Sequence, residues 1–244
     1  MLVTGSSRGL GRALALTLAE AGARVILHGR SAEALAETSQ LIEESGQRSA
    51  GTVRFDVTDK DAVKQGIAEL IQDHGVPDIV VNNAGLQRRA PIHEFDPDDW
   101  DAVLASNLSS AFYVSRFVTL KPWWSAAPAR SSTSPQSSRT WLARPSPLLG
   151  EQGRRGAADQ GMAADLARHN IQVNALSPGY FATEMNRDLV ENETFDSWLR
   201  ARTPAGRWGS FDELVSALLF LSSDASSFVS GQNIFVDGGM TAVV

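Results

Sequence analysis

A glycine-rich turn set between a strand and a helix constrains this chain more than any other feature. Met1 to Thr4 is a short apolar run, Thr4-Gly5-Ser6-Ser7-Arg8-Gly9-Leu10-Gly11 follows, and Ala13 to Ala21 has helical periodicity through Leu14, Leu16, Leu18 and Ala19. Such a turn needs one glycine where the backbone doubles back and a second where it must approach a ligand. It needs a third where helix and strand pack closely, and Gly5, Gly9 and Gly11 supply the three. The free N–H groups and partial positive charge at the start of the helix then face an anion. A chain that opens this way is committed to parallel strands joined by crossover helices.

The remaining pattern repeats that unit. Arg24 to His28 reads as a second strand, and Ser31 caps a helix from about Ala32 to Ser45. Ser49 to Phe55 is a third strand ending at Asp56-Val57, and Asp59 caps a helix from Lys60 to His74. Asp78 to Val81 is apolar after its first residue, as a strand buried on both faces requires, and it ends at Asn82-Asn83-Ala84-Gly85. A helix from about Trp100 to Val118 follows. Further on come a helix (Gln160 to His169), a strand (Ile171 to Leu176), a helix (Phe211 to Ser222) and a closing strand (Asn233 to Val236) before Asp237-Gly238-Gly239. The predicted fold is α/β and doubly wound, Rossmann-like, with a parallel seven-stranded sheet in three layers. No linker or repeat divides it, so residues 1–244 read as a single dinucleotide-binding catalytic domain. Interior strands run to about five or six residues. The opening strand therefore reads as the end of a longer one, and a segment is expected to precede Met1.

Composition narrows the partners. With 244 residues, 43% of them hydrophobic, the chain can bury one large core. A net charge of −6 with no basic stripe argues against nucleic acid. There is no cysteine, and the four histidines (His28, His74, His93, His169) lack metal-ligand spacing, so no metal is expected. No apolar run reaches the roughly 18 residues of a membrane span, and no secretory leader pattern is present. A cytoplasmic protein acting on a small molecule, with no membrane partner, is expected.

The end of the second strand selects the dinucleotide. An NAD site usually places Asp or Glu there, on the ribose 2′-hydroxyl. This chain has His28-Gly29-Arg30 instead, with Arg8 in the loop itself. Guanidinium groups suit a 2′-phosphate, which they bind by charge-assisted hydrogen bonds. NADP is therefore expected in preference to NAD, held by Gly5, Ser7, Arg8, Gly9, Leu10 and Arg30.

These motifs, with Asp56-Val57, Asn82-Asn83-Ala84-Gly85, Asn107, Ser177-Pro178-Gly179, Thr183 and Val236-Asp237-Gly238-Gly239, resemble those of the short-chain dehydrogenases/reductases in order and spacing. Within that family, His28-Gly29-Arg30, Gln87 to Pro91 and Pro178 to Asn186 look most like a branch acting on sugar acids. The resemblance implies that Asp56 and Val57 flank the adenine and that Asn83, Ala84 and Gly85 line the ribose side. Pro178, Gly179 and Thr183 would hold the nicotinamide end. It also implies a homotetramer or homodimer built on paired long helices.

One stretch departs from this pattern. The family's chemistry needs a Tyr as proton donor, a Lys four residues later that lowers its pKa, a Ser thirteen residues before the Tyr and an Asn that keeps a relay water. A phenol near its free pKa of about 10 is a poor acid at neutral pH without the ammonium. Neither Tyr113 nor Tyr180 has a Lys at that spacing, and the lysines are Lys60, Lys64 and Lys121. Only Asn107 of the four is in place, as the candidate catalytic residue, with Tyr180 a candidate substrate contact. Residues 117–160 are atypical: Lys121 to Arg155 contains Trp123, Trp124 and the run Ser131-Ser132-Thr133-Ser134-Pro135, and reads as loop or disorder.

Either the stretch is a real divergence or two parts of it are out of frame, and a shifted reading is compatible with the letters. Pro147 to Arg154, encoded as CCC CTA CTG GGC GAG CAA GGG CGG and read one nucleotide on, gives Pro-Tyr-Trp-Ala-Ser-Lys-Gly. Ala129 to Ser138, encoded as GCA AGA TCA TCA ACA TCG CCT CAG TCC AGT, gives Lys-Ile-Ile-Asn-Ile-Ala-Ser-Val-Gln when shifted. The codons are chosen among synonyms, so this establishes compatibility only. It puts the Tyr at Leu148 or Leu149, the Lys at Gln152 or Gly153 and the Ser near Pro135 or Gln136, with Ser134, Ser137 and Ser138 close by.

Three functional readings follow. The first is an oxidoreductase transferring a hydride between NADP(H) and a small polar alcohol or ketone, such as a sugar acid or polyol, with Arg88 or Arg89 on a substrate carboxylate. The second is a catalytically inactive dinucleotide-binding protein, and the third a damaged chain without a stable fold.

Overall fold

The structure, a computed structural model, describes residues 1–88, 90–118, 159–183 and 186–243, and the backbone of 139–143. Seven parallel strands form one sheet in the order β3-β2-β1-β4-β5-β6-β7. They are β1 (Leu2–Val3), β2 (Ile26–Gly29), β3 (Gly51–Arg54), β4 (Ile79–Asn82), β5 (Arg139–Ala143), β6 (Ile171–Pro178) and β7 (Asn233–Val236). β1 pairs Leu2 with Ile26 on one side and with Val80 on the other. The order reverses between β1 and β4, which opens a crevice at the carboxyl ends of these strands, where α/β sheets of this kind bind ligands.

Adjacent residues on a strand point to opposite faces, and the two faces gather two cores. Val3, Leu27, Ile79 and Val81 pack with Leu14 and Leu18 of α1 (Gly9–Glu20), Leu35 and Ile42 of α2 (Ala32–Glu44), and Leu214, Leu218 and Leu221 of the last helix, Phe211–Leu221. Leu2, Ile26, Val53 and Val80 pack on the other face with Val63, Ile67 and Leu70 of α3 (Lys60–His74), and with Val114 and Val118 of α5 (Ser110–Val118). This makes the three expected layers. Ser31 and Asp59 cap α2 and α3 as predicted.

The differences from the sequence reading are informative. The helix expected from Trp100 begins earlier, as α4 (Pro97–Leu104) capped by Asp96, and passes through a π turn at Ala105–Ser109 into α5. The expected helix at Gln160 to His169 is α-helical over 159–166 (α6) and finishes as a 3-10 turn, Ala167–His169. Two helices went unpredicted, α7 (Arg187–Val190) and α8 (Glu193–Arg202); their polar composition hides a narrow apolar side, Leu199 being the one buried residue of α8. The last helix is α9.

The expectation of loop or disorder throughout Lys121 to Arg155 is corrected at one place. The backbone of β5 pairs in parallel with Ile79–Asn82 on one side and Ile171–Ala175 on the other. Without it, β4 and β6 would each bury an unpaired row of N–H and C=O groups. The shifted-frame assignments at Pro135, Gln136, Leu148, Leu149, Gln152 and Gly153, with Ser134, Ser137 and Ser138, lie outside the described residues, as does Arg89.

Candidate active site

The glycine-rich turn occupies the crevice. Gly5 and Gly9 have φ of 66° and 56°, which a side chain would resist. A Cβ on Gly11 would overlap the Gly5 carbonyl oxygen and the Asn83 amide, so the third glycine sets the depth at which α1 meets the sheet. Thr4 and Asn83 lock the turn to the end of β4. The Thr4 hydroxyl accepts from the amides of Asn83 and Ala84, both at 3.0 Å, and the Asn83 amide donates to the carbonyls of Thr4 (3.0 Å) and Gly5 (3.3 Å).

The start of α1 differs from those of α2, α3, α4 and α8. Side chains of Ser31, Asp59, Asp96 and Asn192 accept amide hydrogens at the first turns of α2, α3, α4 and α8. At α1 the capping position is Arg8, whose side chain makes no such bond. The side chain of the capping residue thus does not cap the first turn of α1, and Leu10 packs behind that turn on the first core. Arg12 holds the turn from outside, donating to the Ser7 carbonyl at 2.6 Å while pairing with Glu37 at 3.1 Å.

Arg30 and Asp56 meet at the ends of β2 and β3, at 3.3 Å. The Thr58 backbone amide, the Thr58 hydroxyl and Arg30 hold the Asp56 carboxyl below its usual range despite partial burial. Arg30 thus has an ionic partner at this corner while its side chain stays largely exposed. Val57 is buried in the second core beside them.

Deeper in the crevice, Asn107 lies in the π turn and is almost fully buried. Its Oδ1 accepts from the Leu86 amide at 2.8 Å and its Nδ2 donates to the Leu86 carbonyl at 2.9 Å. Gly85 makes this possible, since a Cβ there would lie 2.6 Å from Asn107 Oδ1. Asn83-Ala84-Gly85 and Asn107 are thereby brought together. π turns often mark functional sites.

At the far end, Pro178 pairs with Val236, and the Gly179 amide donates to the Val236 carbonyl at 2.9 Å. A Cβ on Gly179 would come within 2.7 Å of Asp237, itself fixed by the Thr241 hydroxyl and by the amides of Thr241 and Gly239. Thr183 is held by the Phe181 carbonyl. The Tyr180 ring meets Phe195, Trp198 and Trp208 edge-on, at centroid separations of 5.5, 6.4 and 5.9 Å. Arg88 is paired with Asp99 at 3.0 Å, so its charge already has a partner.

Sequence reasoning missed the contributions of Thr4, Arg12 and His28. His28 was read as a strand end and as part of His28-Gly29-Arg30, with no role for its ring, yet the residue is 2% exposed and its ring is bonded on both nitrogens. A polar residue inside an otherwise apolar strand was the available signal. Among the described residues no group of three His, Cys, Asp or Glu is placed to hold a metal, and no helix is long and apolar enough to cross a membrane.

This crevice, built on a doubly wound sheet, is that of a dinucleotide-dependent oxidoreductase, and comparison with known proteins agrees. The chain belongs to the short-chain dehydrogenase/reductase family. The family profile for short chain dehydrogenases matches residues 1–122, and one described as enoyl-(acyl carrier protein) reductase matches residues 157–241. The interval between the two matches falls within the atypical stretch 117–160.

The sugar-acid branch read from His28-Gly29-Arg30 and Pro178 to Asn186 is that of the gluconate 5-dehydrogenases. The chain is 48% identical over 242 residues to gluconate 5-dehydrogenase of Gluconobacter oxydans (strain 621H), covering 98% of this chain and 93% of that protein. It is 40% identical to 5-keto-D-gluconate 5-reductase of Escherichia coli (strain K12), over 100% and 96%. The crystal structure of a gluconate 5-dehydrogenase from Burkholderia cenocepacia J2315 in complex with NADP and tartrate superimposes with a TM-score of 0.89 at 40% identity, covering 100% of this chain and 95% of that one.

Proposed function

We propose that the protein interconverts a secondary alcohol and a ketone of a sugar acid with NADP(H), gluconate and 5-keto-gluconate being the substrate class. The observation that carries this reading is the first turn of α1, whose amides no side chain caps, behind a turn that Gly5 and Gly9 keep open. That turn fits a pyrophosphate, and Arg8 and Arg30 fit a 2′-phosphate beside it. NADP(H) supplies or accepts the hydride when bound.

The chain's own residues would bind and orient. Gly5, Ser7, Gly9 and Leu10 offer backbone to the diphosphate; Asp56 and Val57 bound the adenine; Asn83, Ala84 and Gly85 line the ribose. Pro178, Gly179 and Thr183 fix the nicotinamide end. Asn107 has its side chain committed to Leu86, and its backbone would order a water that relays a proton. Tyr180, braced by three rings, faces the substrate side. The Tyr and Lys of the family's chemistry belong to residues 144–158 under the shifted-frame reading, and the gene's nucleotide sequence there tests it directly. The relatives named above are all dehydrogenases or reductases, so none favours binding without turnover.

The same reading makes the protein one cytoplasmic catalytic domain that assembles as a homotetramer or homodimer. Exposed Trp100 and Phe112 on α4 and α5 support pairing through those helices; light scattering after size exclusion measures the assembly. For function, the full chain is titrated calorimetrically with NADPH and NADH, then given NADPH with 5-keto-D-gluconate. Tight NADPH binding and loss of reduced nicotinamide absorbance are expected. Absence of binding by either dinucleotide overturns the reading.

A further inference from the structure

We propose that His28 is a positioning residue for the coenzyme, its uncharged ring holding the first turn of the phosphate loop and the end of β3 in one geometry. The inference rests on the NADP reading above. The imidazole is buried, and each ring nitrogen has one backbone partner. Nε2 lies 3.1 Å from the Phe55 carbonyl, and Nδ1 lies 3.2 Å from the Gly5 amide. A carbonyl can only accept, so Nε2 carries the hydrogen and Nδ1 keeps the lone pair that the Gly5 N–H needs. The contacts themselves fix the tautomer.

Both partners flank the coenzyme crevice. Gly5 begins the phosphate turn, and its carbonyl is already bound by Asn83. With its amide bound by His28, this left-handed residue is fixed at both ends. The main chain of His28 adds to this, exchanging hydrogen bonds of 2.9 Å with Ser6 in both directions. Phe55 immediately precedes Asp56, which pairs with Arg30. The imidazole also rests on the Phe55 ring, centroids 4.1 Å apart, and that ring fills the space over Gly66 of α3. One side chain thus ties the segment facing the pyrophosphate to the segment facing the adenosine. A leucine would fill the volume but orphan the Gly5 N–H, in the turn that meets the ligand directly, and the Phe55 C=O, one residue away from Asp56.

Two substitutions separate the bonds. In His28→Asn the amide oxygen takes the place of Nδ1 and still accepts from Gly5, while the reach to Phe55 is lost. In His28→Gln the amide nitrogen takes the place of Nε2 and still donates to Phe55, while the Gly5 N–H loses its acceptor. NADPH dissociation constants of the full-length variants are read by fluorescence titration, and melting temperatures by calorimetry. The Asn variant is expected to bind within about threefold of the parent and the Gln variant at least about tenfold more weakly, as one orphaned buried amide would produce. Both melting temperatures fall by similar amounts. A merely structural role weakens Asn and Gln alike, and equal weakening, or none in Gln, overturns the inference. If the parent chain binds neither NADPH nor NADH, the coenzyme reading fails and the inference with it; if the parent binds and the variants do not split, the inference alone fails.

Discussion

Replacing Asn107 by Asp changes one atom of a buried pair and gives a stability effect whose sign depends on pH. The amide now satisfies both the N–H and the C=O of Leu86, at 2.8 and 2.9 Å. An aspartic acid in its protonated form repeats that pattern, with one oxygen accepting and the hydroxyl donating. An aspartate keeps the first bond but turns a lone pair towards the Leu86 carbonyl, inside a site only 3% exposed. Burial and the facing oxygen both disfavour the charged form, so the folded-state pKa must rise above the unfolded value. The penalty is then absent below the unfolded pKa and grows as pH rises through the folded one. Losing that bond and holding a charge against the carbonyl oxygen costs about 2–3 kcal/mol at neutral pH. Asn107→Ala orphans both Leu86 groups; Leu86 is half-buried, so water recovers part of that loss and about 2 kcal/mol is expected at any pH. Urea unfolding of the parent and both variants between mildly acidic and mildly alkaline pH reads the difference. Parallel pH profiles for Asn107→Asp and the parent, or an Ala variant within about 0.5 kcal/mol of the parent, would refute the reasoning.

Other expectations follow from the same geometry. Gly11→Ala pushes a methyl into the Gly5 carbonyl and the Asn83 amide, and should cost about 1–3 kcal/mol of stability in denaturant titration together with most of the NADPH affinity. Burial lowers the His28 pKa from 6.5 to about 4, against the smaller opposing effects of the Phe55 carbonyl and Asp56. Its stabilisation is complete above pH 6.5 and lost as pH falls towards 4, about 3 kcal/mol in all. His28→Gln should remove that slope from the acid limb of the stability profile. Arg30→Ala should weaken NADPH about tenfold or more while leaving NADH within about twofold, read by calorimetry; equal effects on both would separate Arg30 from the 2′-phosphate.

Much of the fold was legible because the signals are local. Ser31 and Asp59 announce their helices, the apolar run Ile79 to Val81 announces a strand buried on both faces, and Gly5 to Gly11 announce the turn with its place in the sheet. What stayed hidden depends on partners distant in sequence. Nothing near His28 reveals that its ring reaches Gly5, 23 residues earlier, and Phe55, 27 residues later. The commitment of Asn107 to Leu86, 21 residues away, and the π turn that places it are equally silent. The β5 backbone segment was illegible for another reason: its place follows from what β4 and β6 require on either side of it, more than from its own letters.

The open first turn of α1 carries a last consequence. Where α2, α3, α4 and α8 finish their own beginnings with a serine, an aspartate or an asparagine, this one leaves the work to a guest. Supplying the nucleotide at a hundred times its dissociation constant would add about 2.7 kcal/mol to the folded state. Furnishing position 8 with an aspartate instead should harden the empty protein and repel the very anion it awaits. The vulnerability of the vacant molecule and its grip on the dinucleotide are one property, and the amount of intact protein in a cell would rise and fall with the supply of its partner.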